Sequence, residues 1–191
     1  VTNKEKAKES FPQHQASKRP SELPCNIHHV TIQGEKWIIL VGMLDSKPYE
    51  VMGGLSNLIE IPAKRTEGIL VKHPRKTVNS VYDLKVGTNG DTILVKDLVR
   101  VFDNPNNSAF TRLISLSLRH GADIQYVVEQ MQKDRDSDMF SFAKCVARVL
   151  KNYIIDGSEG NDKICAECQV DGLVYIEGCL TCKNCGFARC G

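Results

Sequence analysis

Residues 26–44 read NIHHVTIQGEKWIILVGML, and this stretch decides the fold. β-Branched and aromatic residues crowd both halves, with Gly34 between them. The pattern predicts antiparallel strands over 26–33 and 36–44 joined by a tight turn. Asp45-Ser46-Lys47-Pro48 marks a second turn. It leads into Tyr49-Glu50-Val51-Met52, and Gly53-Gly54 follows. The opening is therefore an antiparallel meander. Further short strands are predicted at 69–72, 78–85 and 91–95, with Asn89-Gly90-Asp91 turning between the last two.

From Asn104 the spacing of apolar residues changes. Asn104-Pro105-Asn106-Asn107-Ser108 is a helix-entry signal, with Asn107 or Ser108 as N-cap. Phe110, Leu113, Ile114, Leu116 and Leu118 follow at helical spacing, and Gly121 ends the segment. Asp123 caps a second helix running through Met131. Ser137 or Asp138 caps a third, whose apolar face is Phe140, Phe142, Ala143, Val146, Val149, Leu150 and Tyr153. Strands followed by helices predict an α+β fold, an antiparallel sheet with helices packed on one face; the C-x2-C pairs from Cys165 onward add a small C-terminal zinc ribbon. The expected organisation is a flexible arm or linker over 1–20, an α+β domain over 21–153, a linker over 154–163 and a cysteine-rich tail over 164–191. The arm is too polar to offset its ordering entropy, and residues 156–162 are small and polar, which predicts flexibility.

Bulk composition excludes several classes. The chain has 191 residues, 41% hydrophobic and 25% charged, the profile of a soluble globular protein. No run of eighteen apolar residues exists, so no membrane partner is expected. The polar start carries no secretory h-region. It begins with Val1 rather than Met, which points to a fragment or an unusual start codon. Basic residues number 25 against 23 acidic ones, for a net charge of +2, so nucleic acid is not the expected partner.

Eight cysteines are present. Cys25 and Cys145 stand alone, while Cys165, Cys168, Cys179, Cys182, Cys185 and Cys190 cluster at the end. A terminal cluster of C-x2-C pairs without a signal peptide points to metal or redox chemistry in a reducing cytoplasm, and not to a secreted disulfide framework. Zinc takes four thiolates in a tetrahedron, and each C-x2-C turn supplies two of them. Cys165-Ala166-Glu167-Cys168 is the first knuckle. The second is either Cys182-Lys183-Asn184-Cys185 or Cys179-Leu180-Thr181-Cys182. Gly186, which relieves strain after the knuckle, and Phe187, placed to pack over it, favour the ligand set Cys165, Cys168, Cys182 and Cys185. That set leaves Cys179 and Cys190 as surplus thiols. The other leaves Cys185 and Cys190. A terminal dithiol of either kind can undergo exchange, or the surplus cysteines are inert.

Five blocks carry a family resemblance. Arg19-Pro20-Ser21-Glu22-Leu23-Pro24-Cys25-Asn26-Ile27-His28-His29 resembles the start of the C-terminal region of class II, adenosylcobalamin-dependent ribonucleotide reductases. Gly34-Glu35-Lys36-Trp37, Lys47-Pro48-Tyr49-Glu50-Val51 and the run from Phe110 to Gly121 are similar to the TSCPD-type domain of that family. The tail from Glu177 to Gly191 resembles its cysteine-rich end. The resemblance implies a part in converting ribonucleotides to deoxyribonucleotides for DNA synthesis. In the family, tail cysteines reduce an active-site disulfide and are reduced in turn by an external dithiol. It implies Cys179 and Cys190 as the relay pair, or Cys185 and Cys190. It also implies zinc in the tail, and adenosylcobalamin on a catalytic barrel to which nothing in this sequence corresponds. The chain is then a C-terminal fragment or the small chain of a split enzyme, with the barrel and the reductant as partners. The alternatives are a zinc-ribbon module that binds nucleic acid or protein, or a role in oligomerisation.

Other singled-out residues read as structural. Adjacent His28 and His29 point to opposite faces of a strand and cannot share a metal. Cys25 and Cys145 are packed small hydrophobes. Arg112, Arg119 and His120 form a solvated helix face.

Overall fold

The hairpin signal at 26–44 becomes two long paired strands, β1 (Glu22–Ile32) and β2 (Glu35–Leu44), in antiparallel register with Ile27 opposite Leu40 and His29 opposite Ile38. The computed structural model describes residues 16–32, 34–74, 80–87, 90–133 and 142–190, with the side chain of Ile32 outside that set. β3 (Lys47–Leu55) completes the meander against β2. The chain then returns to the other edge of β1 with β4 (Glu67–Lys72), followed by β5 (Tyr82–Val86) and β6 (Ile93–Val95). The sheet order is β3-β2-β1-β4-β5-β6, antiparallel throughout. The strands expected at 78–85 and 91–95 are shorter than the sequence implies. Positions 78, 79 and Asn89 lie outside the described residues.

The run Ile38-Ile39-Leu40-Val41 does not alternate between apolar and polar, because both faces of β2 are buried. Ile39 and Val41 join Val51 in a core shared with the helices. Ile38 and Leu40 face a second core with Leu23, Ile27, Leu70 and Leu84. That second core is closed by Ile59, Ile61, Leu98 and Phe102. Leu98 begins α1 (Leu98–Val101), a one-turn helix the sequence reading did not anticipate.

α2 (Pro105–Arg119) starts earlier than expected. Its N-cap is Asn104, not Asn107 or Ser108: the Asn104 side chain accepts from the backbone N–H groups of Asn106 and Asn107, at 3.1 Å each. Pro105 occupies the first helical position, where its missing N–H costs nothing. Buried Ser115 pins α2 to β3, accepting from Val51 N at 2.9 Å and donating to Thr111 O at 2.6 Å. Gly121 follows the helix as expected. Asp123 occupies the N-cap position of α3 (Ile124–Gln132) without a side-chain cap bond. α4 (Phe142–Lys151) buries Phe142, Cys145, Val146, Val149 and Leu150. Its candidate caps Ser137 and Asp138, and Phe140 of its apolar face, lie outside the described residues.

Arg119 corrects the reading of a solvated helix face. It donates to Glu50 Oε2 at 2.8 Å and lies over the Tyr49 ring at 4.9 Å. Glu50 is fully buried and also takes a two-pronged contact from Arg19, whose side chain is only 6% exposed. A buried carboxylate persists only when paired, and two guanidinium groups supply that pairing. Arg19 belongs to the stretch read as a flexible arm. Ser17 is tied down as well, its carbonyl accepting from Tyr49 Oη at 2.7 Å.

The tail forms a three-stranded sheet, β7 (Leu173–Ile176), β8 (Cys179–Cys182) and β9 (Ala188–Arg189). It packs on the helices: Leu173, Tyr175, Leu180 and Cys182 share one core with Val146, Leu150 and Ile154. The segment 156–162, expected to be loose, is hydrogen-bonded along its length. Gly157 N donates to Tyr175 O at 2.7 Å, Glu177 N donates to Asp156 Oδ1 at 2.8 Å, and Asn161 N donates to Glu129 Oε1 at 3.1 Å. Gly178 approaches the end of α4 so closely that a Cβ would lie 3.2 Å from the Lys151 carbonyl, and its φ of +73° already favours glycine.

Candidate metal centre and terminal disulfide

Two knuckles with the same backbone build the site. In each, the first cysteine donates its N–H five residues onward: Cys165 N to Val170 O at 3.0 Å, and Cys182 N to Phe187 O at 2.8 Å. In each, the residue after the second cysteine donates back to the first cysteine's carbonyl: Gln169 N to Cys165 O and Gly186 N to Cys182 O, both at 3.0 Å. Closing that turn needs a positive φ, which is 58° at Gln169 and 76° at Gly186. Gly186 drew attention in the sequence, but its partner Gln169 did not, because glutamine is no marker for that conformation.

The turns bring four sulfurs together. Cys165, Cys168, Cys182 and Cys185 have their sulfurs within 4.8 Å of one another. Cys165 Sγ lies 3.6 Å from Cys185 Sγ, and Cys168 Sγ lies 3.7 Å from Cys182 Sγ. A tetrahedron with zinc–sulfur bonds of about 2.3 Å has edges of about 3.8 Å. The donor set is four soft thiols of the right spacing, so the cluster could hold a metal ion such as zinc.

The sulfurs differ in electrostatics. The Asn184 amide donates to Cys168 Sγ at 3.5 Å and, with a backbone contact from Val170, lowers that thiol to about 6. At Cys185 a backbone contact from Phe187 acts to lower the pKa, but desolvation and the three neighbouring thiols outweigh it and hold the group up to about 12. A cluster that shares protons in this way releases them when a divalent cation takes their place. Asn184 was not anticipated, since an amide inside a C-x2-C turn leaves no pattern of its own.

Cys179 lies apart from this cluster, bonded to Cys190. β8 runs as a strand through Cys179-Leu180-Thr181-Cys182, so alternate residues face opposite sides. Leu180 and Cys182 are buried, while Cys179 and Thr181 are half-buried. The register of β8 with β9 places Leu180 opposite Arg189, and extending it by one pair places Cys179 opposite Cys190. Their Cα atoms are 4.3 Å apart. Lys151 at the end of α4 donates to the Cys190 carbonyl at 2.6 Å and ties β9's outer end to the helix. No local pattern singles out that lysine, because the contact spans 39 residues.

The remaining candidates sit in the sheet domain. Burial pushes Cys25 up to about 12 and Cys145 up to about 11, which makes both poor nucleophiles. His28 and His29 face opposite sides, His28 Nε2 lying 2.7 Å from Tyr153 Oη and His29 Nε2 lying 3.2 Å from Arg65 O. Among the described residues, no helix is long and apolar enough to cross a membrane.

Comparison with known proteins finds a family match over residues 23–155, described as the NrdJ homologue C-terminal domain. No curated protein and no solved structure matches the chain. Among the described residues the matched span takes in the six-stranded sheet, apart from Glu22, and α1 to α4, and it ends before the cysteine knuckles. Covering more than half of the sequence, it identifies the chain as a member of the family of NrdJ homologue C-terminal domains.

Proposed function

We propose that this chain is the C-terminal part, or the small chain, of an adenosylcobalamin-dependent ribonucleotide reductase, and that it delivers electrons to the active-site disulfide. Family membership supports the relation to class II ribonucleotide reductase. The observation that carries the electron-delivery reading is the Cys179–Cys190 pair, set apart from the four-sulfur cluster. On this reading residues 1–20 lead into a TSCPD-type domain over 21–153. Residues 154–163 connect it to a zinc-ribbon tail over 164–191, in the cytoplasm. Zinc held by Cys165, Cys168, Cys182 and Cys185 gives the tail its shape and takes no part in electron transfer.

The reduced tail presents two thiols. The Cys190 thiolate, on the more exposed residue, attacks one sulfur of the active-site disulfide. A mixed disulfide forms and the other active-site sulfur leaves as a thiolate. Cys179 then attacks Cys190, closing the tail disulfide and releasing the second active-site thiol. Two electrons have moved inward, and an external dithiol reopens Cys179–Cys190 by the same exchange. Adenosylcobalamin, on the catalytic barrel, supplies the radical chemistry of ribonucleotide reduction. This chain alone should therefore form no deoxynucleotide.

The test is Cys190→Ser in a complex with the catalytic barrel. Zinc content and folding should be unchanged, and one turnover should proceed from pre-reduced active-site thiols. Sustained turnover with a dithiol protein should stop, and dithiothreitol should restore it by diffusing in. Many turnovers with the protein reductant would refute electron delivery and leave assembly as the role of the tail.

A further inference from the structure

A cleft of about 720 Å³ opens between α3, α4 and the ribbon. That volume lies within the roughly 300–1,000 Å³ typical of small-ligand sites. α4 contributes Lys144, Arg148 and Lys151, spaced so that they form one stripe along its surface. At a rise of about 1.5 Å per residue the stripe is about 10 Å long, more than one phosphate group can span. Arg189 of β9 faces it from the ribbon.

Among the described residues, the two acidic groups that line the cleft, Glu129 and Asp162, are already engaged. Glu129 accepts from Tyr175 Oη at 3.1 Å and from the backbone and side chain of Asn161. Asp162 pairs with Arg189 at 2.7 Å. The Arg148 side chain is exposed and makes no hydrogen bond or ion pair with another of the described residues. Positive charge is crowded here: burial, then Arg148 and Arg189, all act to lower the pKa of Lys151. Concavity, a line of cations and internally satisfied carboxylates together define a site for a flexible polyanion.

We propose that this cleft binds a polyphosphate-bearing small molecule, an inorganic or nucleoside triphosphate, through Lys144, Arg148, Lys151 and Arg189. The proposal does not depend on electron delivery, and its test needs only the full chain. Calorimetric titration of the zinc-loaded chain with inorganic triphosphate should give saturable binding of one ligand per chain. Arg148→Gln should weaken it at least tenfold, with zinc content and circular dichroism unchanged because the side chain lies outside the core. Arg148→Lys should keep most of the affinity, and orthophosphate should bind at least tenfold more weakly. Equal affinity for inorganic and adenosine triphosphate would show that the phosphate chain alone is read. A preference for the nucleotide would add a base contact. Absence of saturable binding, unchanged affinity in Arg148→Gln, or saturation by a polyglutamate peptide where triphosphate fails would each overturn the proposal.

Discussion

The sheet domain and the ribbon obtain their shape by different physics. The domain buries Leu23, Ile38, Ile39, Leu40, Leu70 and Leu84 completely, and its cohesion is spread over many apolar contacts. The ribbon is too small to bury a core of its own. It has four clustered sulfurs at one end and borrows a core from the helices through Leu173, Tyr175 and Leu180. Distributed cohesion tolerates the loss of one group, whereas cohesion concentrated in a metal cluster does not. The difference also fits the proposed role, in which the tail keeps its form while Cys179 and Cys190 change redox state.

The largest effect expected from this comparison falls on the cluster. Metal binding in small thiolate sites contributes on the order of 10 kcal/mol. Cys165→Ser, or removal of metal by a chelator, should release zinc and unfold residues 164–190. The sheet domain should stay folded but lose stability, because Tyr175 and Leu180 leave the shared core. Elemental analysis with amide hydrogen exchange reads both parts. Full zinc content in Cys165→Ser would break the ligand assignment, and unchanged exchange rates in α4 would break the claim of a shared core.

The second effect concerns the near end of the chain. Arg19→Ala removes the two-pronged partner of buried Glu50 and leaves the carboxylate with Arg119 alone. Leaving a buried charge underpaired should cost about 3 kcal/mol, read from the urea midpoint. A loss below about 0.5 kcal/mol would make residue 19 a surface group.

These two sites show what the sequence made legible. The β1–β2 hairpin, the three longer helices and the knuckles are local patterns, fixed by neighbours a few residues away, and they are legible in the chain. The Glu50 clasp joins residues 31 and 69 positions apart, and the Lys151 contact to Cys190 spans 39. Such pairs leave no periodicity, so Arg119 read as solvated and Lys151 went unnoticed. Polar composition predicted a loose segment at 156–162. Its small residues instead fit beneath β7 and hydrogen-bond to Glu129 and Tyr175. The N-cap falls within a run of four residues of capping type, Asn104, Asn106, Asn107 and Ser108, where Pro105 makes Asn104 the favoured one.

A smaller effect tests the seam between the two regions. Tyr175 Oη donates to Glu129 at the base of the ribbon. Tyr175→Phe keeps the ring in the shared core and removes that bond. The cost should be about 1 kcal/mol, with zinc content unchanged. A larger loss, or loss of zinc, would mean that the seam and the cluster fold as one unit.

The smallest effect lies wholly within the sheet domain and is a matter of pH. Tyr153, just past α4, joins its hydroxyl to β1, accepting from Asn26 Nδ2 at 2.8 Å and meeting His28 Nε2 at 2.7 Å. Burial, and then the neighbouring His29, hold His28 below its ordinary 6.5. The neutral ring can accept the tyrosine proton, whereas a protonated ring cannot. Between the depressed value and 6.5 the unfolded chain binds a proton that the folded chain refuses. Stability from this group is therefore fully present above the ordinary value and declines as the pH falls below it. Acid also strips metal from thiolates, so a global unfolding curve would mix the two regions. An NMR titration of the His28 ring separates them, and its midpoint should lie below 6.5 in the zinc-loaded chain. Tyr153→Phe should remove the bond and leave the ring partly buried. A midpoint at or above 6.5 in the wild-type chain would show that His28 is solvated and that Tyr153 does not hold the end of α4 against the sheet.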